Sequence, residues 1–208
     1  MKNLHIIRHP LLQRDLTLLR DRKTPSPQFR AILRRASALM AFEVTKDLPL
    51  RSVIVSTPLA RAKGSVLAKP VVLVPILRAG LGLVGGFVEM LPDSRVGHIG
   101  LYRDEKSLKP VDYYFKVPNK IKEAVVFLLD PMLATGGSTS AALTYLKKRG
   151  ARNLICVTLL AAPEGVRVVQ SGHPDVKIYT CSLDEKLNGK GYIMPGLGDA
   201  GDRIFGTE

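Results

Sequence analysis

The residues with the most chemical content lie between 130 and 139: Asp130, then Thr135, Gly136, Gly137, Ser138 and Thr139, directly after the apolar run 125–129. The run is too short for a helix and rich enough in Val and Leu for a buried parallel strand. The segment from Ala141 to Arg149 is helical by propensity, basic in its last turn and closed by Gly150. The order is therefore strand, small-residue loop, helix. It offers backbone N–H groups and hydroxyl donors at a helix N-terminus, where the helix dipole favours an anion. Gly136 and Gly137 let the main chain close around a phosphate without a Cβ in the way. Asp130 stands where an open α/β sheet binds ligands, at the carboxyl end of a strand. A carboxylate beside a phosphate cradle suits a sugar hydroxyl or a hydrated magnesium ion. The spacing excludes a Walker A loop, because no Gly-Lys-Ser/Thr follows. A turn with no ligand is the plainer alternative.

A second stretch repeats the logic. The run 71–77 ends at Arg78, and Ala79-Gly80-Leu81-Gly82 leads into a helix running to about Met90. Arg78, beside flexible glycines at a strand's end, is placed to clamp a phosphate bidentately; pairing with an acid is its structural alternative. Arg103 follows the strand 96–102 and aims at the same crevice. The chain from there to Asn119 is charged and punctuated by prolines, a long excursion or loose hairpin of the kind that forms lids. The C-terminal stretch from Leu187 to Arg203 is neither helix nor strand by pattern, yet Tyr192, Ile193 and Leu197 indicate that it packs. A glycine loop exposing backbone donors and acceptors can read the edge of a planar heterocycle. Asp199 and Asp202 are open to three roles: catalysis, metal binding through water, or turn formation.

The elements that must position these groups follow from periodicity. The first sixty residues are helical, with one apolar stripe of Leu11, Leu12, Leu16 and Leu19 and another of Phe29, Ile32, Leu33, Ala36, Leu39 and Met40. The segment Thr24-Pro25-Ser26-Pro27 marks the turn between them. Residues 53–57 and 64–67 form a short hairpin. Strands 153–162 and 176–182 flank a helix opened by Pro163 and Glu164. Such alternation predicts an α/β fold with a mostly parallel sheet, and 208 residues predict one domain, 1–208.

Composition sets the outer bounds. The net charge of +13 raises the expectation of polyanionic partners, nucleic acid or phosphorylated metabolites. The excess is dispersed, with a concentration at Arg14, Arg20, Arg22, Lys23, Arg30, Arg34 and Arg35 that reads as a solvated helix face. Apolar residues make up 46%, a globular value. The stretch 71–91 has the length of a membrane span, but Pro75, Arg78 and Glu89 interrupt it. No membrane partner and no secretory signal are expected. Cys156 and Cys181 read as buried thiols in a reducing compartment, the cytoplasm.

Taken together, the segments 74–82, 102–105, 130–138, 162–165 and 191–202 resemble the uracil phosphoribosyltransferases, of the type I phosphoribosyltransferase family, essentially end to end. The 130–138 loop resembles phosphoribosyltransferases generally; Gly191-Tyr192-Ile193 and Pro195-Gly196-Leu197-Gly198-Asp199-Ala200-Gly201-Asp202 resemble the uracil enzymes. The resemblance implies a phosphoribosyltransferase-like (Rossmann-like) sheet, a flexible hood over 103–119 and an irregular base-binding loop. It implies transfer of ribose 5-phosphate from 5-phosphoribosyl 1-diphosphate (PRPP) to N1 of uracil, giving UMP and diphosphate. It assigns PRPP to Arg78, Arg103, Asp130, Pro131, Met132, Leu133, Ala134, Thr135, Gly136, Gly137, Ser138 and Asp199. Arg78, Arg103 and Asp130 would be catalytic, and Ile193, Gly198, Asp199 and Ala200 would bind uracil. Pro131 stands where many relatives carry a second acid, so Mg2+ would arrive on the diphosphate with no direct protein ligand. The hood would exclude water. The family further suggests a homodimer or homotetramer and admits GTP as an allosteric activator, with no nucleic-acid partner. Gly85 and Gly86 depart from relatives that carry Met and Asp nearby, a change expected to touch helix packing. The principal rival, a nucleic-acid-binding regulator on this fold, predicts a clustered basic face and steep salt dependence.

Overall fold

The apolar runs of the sequence become the centre of a parallel sheet because both of their faces are covered. The computed structural model describes residues 3–103 and 110–207, with the side chains of 102, 103 and 110–112 outside that description. The core strands are β4 (Val71–Leu77), β8 (Val125–Leu129), β10 (Asn153–Ala161) and β11 (Lys177–Leu183). Neighbours are parallel in the order β11, β10, β8, β4. Odd-numbered residues Leu73, Phe127, Leu129, Val157 and Leu159 join one buried cluster; even-numbered Val72, Val74, Val126, Leu128 and Cys156 join another. A strand with two dry faces reads as a continuous apolar run.

On the first face lie α1 (Pro10–Arg20), α2 (Ser26–Thr45) and α3 (Leu81–Met90). On the second lie α4 (Gly137–Lys148) and α5 (Pro163–Gly172). The stripes expected for α1 and α2 are buried, except that Leu11 is exposed and Leu39 only partly covered. Pro27 lies in the first turn of α2, where its missing N–H costs nothing. The expected hairpin is longer than its sequence signal, pairing β2 (Leu50–Ser56) with β3 (Arg61–Leu67) as a separate two-stranded sheet. Strands β5 (Arg95–Val96) and β6 (His98–Arg103) divide at Gly97. The excursion after Arg103 returns as β7 (Pro110–Lys116), antiparallel to β6; the tip of the expected hood, 104–109, lies outside the described residues. No helix among the described residues is long and apolar enough to cross a membrane.

Four local expectations are corrected. Residues 4–6, within the first sixty expected to be helical, form edge strand β1 (Leu4–Ile6) on β11. The helix expected from Ala141 begins at Gly137, so the glycine loop is itself the first turn. The short strand β9 (Met132–Leu133) pairs with β10 inside the loop. The N-terminal arginines are not simply a solvated face. Arg35 makes a bidentate bond to buried Asp15 at 2.8 and 2.6 Å, joined by Arg14 at 3.0 Å. Burial opposes ionisation of Asp15, but the two guanidiniums hold its carboxyl below the usual range. Arg20 pairs with Asp184, Arg34 with Glu89, and Arg30 donates to the Ile204 carbonyl.

Gly86 explains the close crossing of α2 and α3. A Cβ there would stand 2.1 Å from Ser37 Oγ, 2.4 Å from Ala38 N and 2.5 Å from the Arg34 carbonyl oxygen. Because two of these are backbone atoms of α2, the helices must part to admit a methyl. Gly86→Ala is expected to destabilise the fold by about 1–3 kcal/mol, measured by denaturant unfolding.

Cys156 and Cys181 are free and buried, as expected. Burial, and for Cys156 also the Asp130 charge, raises both thiols, Cys181 to about 12. Neither can supply a thiolate near neutral pH.

Candidate functional site

From β4 the chain crosses to β6 on one side and later returns to β8 on the other. The gap beyond the carboxyl ends of β4 and β8 is thus the point where strand order reverses, the standard ligand crevice of an open α/β sheet. Arg78 and Asp130 are the first residues past these two ends.

The loop after β8 is held from below. The Pro131 carbonyl accepts from Leu159 N and Leu160 N at 3.1 and 3.0 Å. Leu133 N donates to Thr158 Oγ1 at 3.2 Å, and the Leu133 carbonyl accepts from Ala162 N at 2.9 Å. Pro131 and Leu133 are buried and seat the loop. Gly136 then turns at φ +81°. A Cβ at Gly136 would lie 2.7 Å from the Gly165 carbonyl oxygen, and one at Gly165 would lie 2.4 Å from the Ala134 carbonyl oxygen. The two glycines let loop and α5 N-terminus nest backbone to backbone. From Gly137 onward α4 presents first-turn N–H groups that no intrahelical carbonyl can reach, an anion-binding array.

Asp130 Oδ1 accepts from Met132 N at 3.3 Å, and Thr139 also donates to the carboxyl. Although the residue keeps some surface at the crevice mouth, burial of the carboxyl outweighs these bonds and raises its pKa to about 6. Arg78 is more than half exposed. Its Nη2 donates to Asp202 Oδ1 at 3.2 Å, its Nη1 to Thr207 Oγ1 at 3.4 Å, and its guanidinium lies 5.9 Å from the Phe205 ring centroid. The Leu77–Arg78 peptide is cis. Gly80 keeps the turn after Arg78 pressed onto the sheet, since a Cβ there would stand 2.4 Å from the Leu129 carbonyl oxygen. Arg103 is the last residue of β6, opposite Pro110 in register, with its side chain outside the described residues.

The C-terminal stretch has more order than its sequence suggested. Strands β12 (Lys186–Leu187) and β13 (Ile193–Met194) form a small hairpin, and α6 (Ala200–Phe205) follows. Asp199 caps α6, its Oδ1 accepting from Asp202 N at 3.0 Å. Leu187 N donates to Glu164 Oε1 at 3.3 Å, tying the hairpin to α5.

Two cavities result. One, of about 250 Å³, is lined by Leu77, Arg78, Ala79, Asp130, Ser138, Asp199 and Gly201 among others. The other, of about 300 Å³, is lined by Ala79, Met132, Ala134, Lys190, Tyr192, Ile193, Gly198, Asp199, Ala200 and Gly201 among others. They share Ala79, Asp199 and Gly201 and so form two compartments of one site. The first is polar, with the glycine loop and the α4 N-terminus at its edge; the second is lined in good part by glycines and alanines of the C-terminal stretch. Met132 and Ala134, expected among the phosphate-loop residues, line the second. Ala79, Lys190 and Tyr192 were not singled out as ligands by sequence. A larger cavity, about 600 Å³, lies between the β2–β3 hairpin and the end of α3, lined by residues such as Val66, Pro70 and Ser94. It opens at the amino end of β4 and includes none of the residues just described.

Among the described residues no group of three or more His, Cys, Asp or Glu could cage a metal ion. Asp130 and Asp199 face one crevice, where their carboxylates could accept hydrogen bonds from the waters of a magnesium ion that arrives on a substrate's phosphates.

A family model described as uracil phosphoribosyltransferase matches residues 6–207. A uracil phosphoribosyltransferase of Bacillus licheniformis is 56% identical, and one of Bacillus cytotoxicus 53% identical, each over the whole of both chains. The AQ2163 protein of Aquifex aeolicus superposes with a TM-score of 0.92 at 35% identity, covering 97% of each chain. A purine phosphoribosyltransferase of Pyrococcus horikoshii shares the fold at a TM-score of 0.50 and 18% identity, covering 71% of this chain and 82% of its own.

Proposed function

The chain belongs to the uracil phosphoribosyltransferase family, and from that premise we propose that it transfers ribose 5-phosphate from PRPP to N1 of uracil, forming UMP and diphosphate. The observation that carries the reading is the pair of joined compartments at the ends of β4 and β8. One suits a phosphorylated sugar and the other a flat base.

In this reading the 5-phosphate rests on Thr135, Gly136, Gly137 and Ser138 at the α4 N-terminus, and ionised Asp130 accepts from the ribose hydroxyls. The bond from C1 of the sugar to the diphosphate oxygen breaks, and its electron pair leaves with the diphosphate. Arg78, with Arg103, stabilises the charge that develops there, the electrostatic contribution of greatest weight. The N1–C1 bond forms on the opposite side of C1, and the N1 proton passes to solvent. Ile193, Gly198 and Ala200 read the edges of uracil through backbone groups. A magnesium ion held by the diphosphate, with Asp130 and Asp199 nearby, supplies charge neutralisation when bound. The buried free thiols accord with a cytoplasmic setting.

The chain also works as a homodimer or a larger assembly, in this reading. A two-stranded hairpin is marginal alone, yet β2–β3 exposes Leu50, Ile54, Val55 and Leu59, the last at 97%. A second copy would cover these side chains. Leu59→Lys combined with Ile54→Lys is expected to yield monomers in sedimentation velocity; an unchanged assembly would place the interface elsewhere. GTP is retained as a candidate activator; of the seven basic residues concentrated between 14 and 35, five already contact other groups of the chain. Incubation of the protein with PRPP, magnesium and one base at a time tests the reaction itself. UMP and diphosphate in equal amounts from uracil, with nothing from cytosine, hypoxanthine or adenine, is the expected result. Turnover of a purine, or of no base, would overturn it.

A further inference from the structure

Gly196 lies at the bend of the base-reading loop, between Ile193 and Gly198, with φ +61°. Every polar group of that residue is taken by a side chain remote in sequence. Its N–H donates to Asp184 Oδ2 at 2.9 Å, and its carbonyl accepts from Arg20 Nη1 at 2.7 Å. Arg20 and Asp184 are themselves joined by two parallel bonds, Nη1 to Oδ2 at 2.7 Å and Nη2 to Oδ1 at 2.5 Å. Ser182 Oγ completes the group, donating to Asp184 Oδ1 at 2.7 Å and accepting from Arg20 Nη2 at 3.3 Å. One residue on, the Leu197 carbonyl accepts from Arg203 Nη1 at 2.9 Å. Arg203 also donates to the Leu19 and Asp21 carbonyls, and its guanidinium lies 4.5 Å from the Phe29 ring centroid. The loop is thus bolted at Gly196 and Leu197 to the last turn of α1.

We propose that Arg20 and Asp184 are positioning residues for the base compartment, fixing the Gly196 turn so that the backbone of Ile193 on one side and Gly198 to Ala200 on the other stands at the spacing of a pyrimidine. The proposal rests on the functional reading above. The chemistry supports it in two ways. A forked guanidinium can bond a carboxylate and a carbonyl at once, which an ammonium cannot do in fixed geometry. A buried ion pair contributes little net stability compared with apolar packing, and its best-attested use is to specify one arrangement among several. Asp184 is 7% exposed. Burial works against its ionisation, but Arg20, Ser182 and the Gly196 N–H keep its pKa below the ordinary carboxylate value. The carboxylate is therefore in its acceptor-only form at neutral pH, as the Gly196 N–H requires.

Neither side chain lines the compartment, so its removal should act on the base and not on the sugar phosphate. Arg20→Lys and Arg20→Gln are expected to raise KM for uracil at least tenfold while KM for PRPP changes less than twofold. Amide hydrogen exchange over 193–198 should speed up at least tenfold, with exchange over 135–139 unchanged. Equal shifts in both KM values, or exchange rates at 193–198 matching those of the unaltered protein, would overturn the proposal. Should the unaltered protein make no UMP, the functional reading fails, and the exchange measurement alone decides whether Arg20 fixes the turn.

Discussion

Replacing Arg78 with alanine is expected to weaken PRPP binding by about 2–4 kcal/mol, roughly 30- to 1,000-fold, the scale for losing a charged partner in a closed site. The same change should leave stability nearly untouched. In the free protein the guanidinium is more than half exposed and pairs with Asp202 at 3.2 Å, and pairs of that kind contribute about 0–1 kcal/mol. The sequence left two roles open for Arg78, phosphate clamp or partner of an acid, and the free structure displays the second. The two are compatible, because Asp202 is itself held by Thr207, whose hydroxyl donates to Oδ1 at 2.6 Å. Asp202 thus keeps an uncharged partner if Arg78 swings to a diphosphate. Calorimetric titration of Arg78→Ala with PRPP, beside its unfolding curve, separates the outcomes. Lost affinity with retained stability fits a ligand-binding arginine; retained affinity removes Arg78 from the site.

Asp130→Asn should produce a protein that is more stable and far less active. The folded pKa of Asp130, about 6, lies above its ordinary value of 3.8 because the carboxyl is buried. The folded state therefore binds the proton more tightly than the unfolded state between those values. The contribution of Asp130 is most favourable below about pH 4 and is lost as pH rises to about 6. Above that, the buried carboxylate costs about 2–3 kcal/mol, taking about 1.4 kcal/mol for each pH unit separating the two values. Asp130→Asn removes that cost and should unfold later at pH 7.5, and the decline of stability from pH 4 to 6 should flatten. Activity should move the other way. In the proposed role a neutral amide would forfeit charged hydrogen bonds to ribose hydroxyls, each about 1.5–3 kcal/mol, so kcat/KM for PRPP should fall about a hundredfold or more. The unaltered enzyme should also lose activity tenfold per pH unit below about 6. PRPP carries phosphate that titrates near the same pH, so the ratio of the two pH profiles isolates the Asp130 limb. A variant no more stable than its parent at pH 7.5 would contradict the burial argument.

How far the sequence reached depends on how local each signal is. Strands 71–77, 125–129 and 153–161 were legible because burial on both faces demands unbroken apolar runs. The strand, glycine loop and helix at 125–148 were legible because the turn needs particular residue types in immediate succession. The helix was read four residues late: Gly136, Gly137 and Ser138 are poor helix formers, yet a first turn that offers N–H groups to a ligand has no need of good ones. Strand β1 escaped notice at three residues with no alternation. Helix α6 was hidden by glycine and aspartate, although Asp199 and Asp202 at a spacing of three form the cap signal of a helix start. The arginines of α1 and α2 looked solvated because their partners are far along the chain: Arg20 and Asp184 are separated by 164 positions. No pattern within a window can reveal such a pair. For the same reason the sequence showed that the C-terminal loop packs but not what holds it in shape.

The structure of the protein with UMP bound tests the account most directly. The 5′-phosphate should lie within hydrogen-bonding distance of the backbone N–H groups in 135–139, with the ribose hydroxyls on Asp130. The pyrimidine should occupy the slot bounded by Ile193, Gly198 and Ala200. A nucleotide found instead in the cavity beneath the β2–β3 hairpin, or on the arginines of α1 and α2, would contradict it.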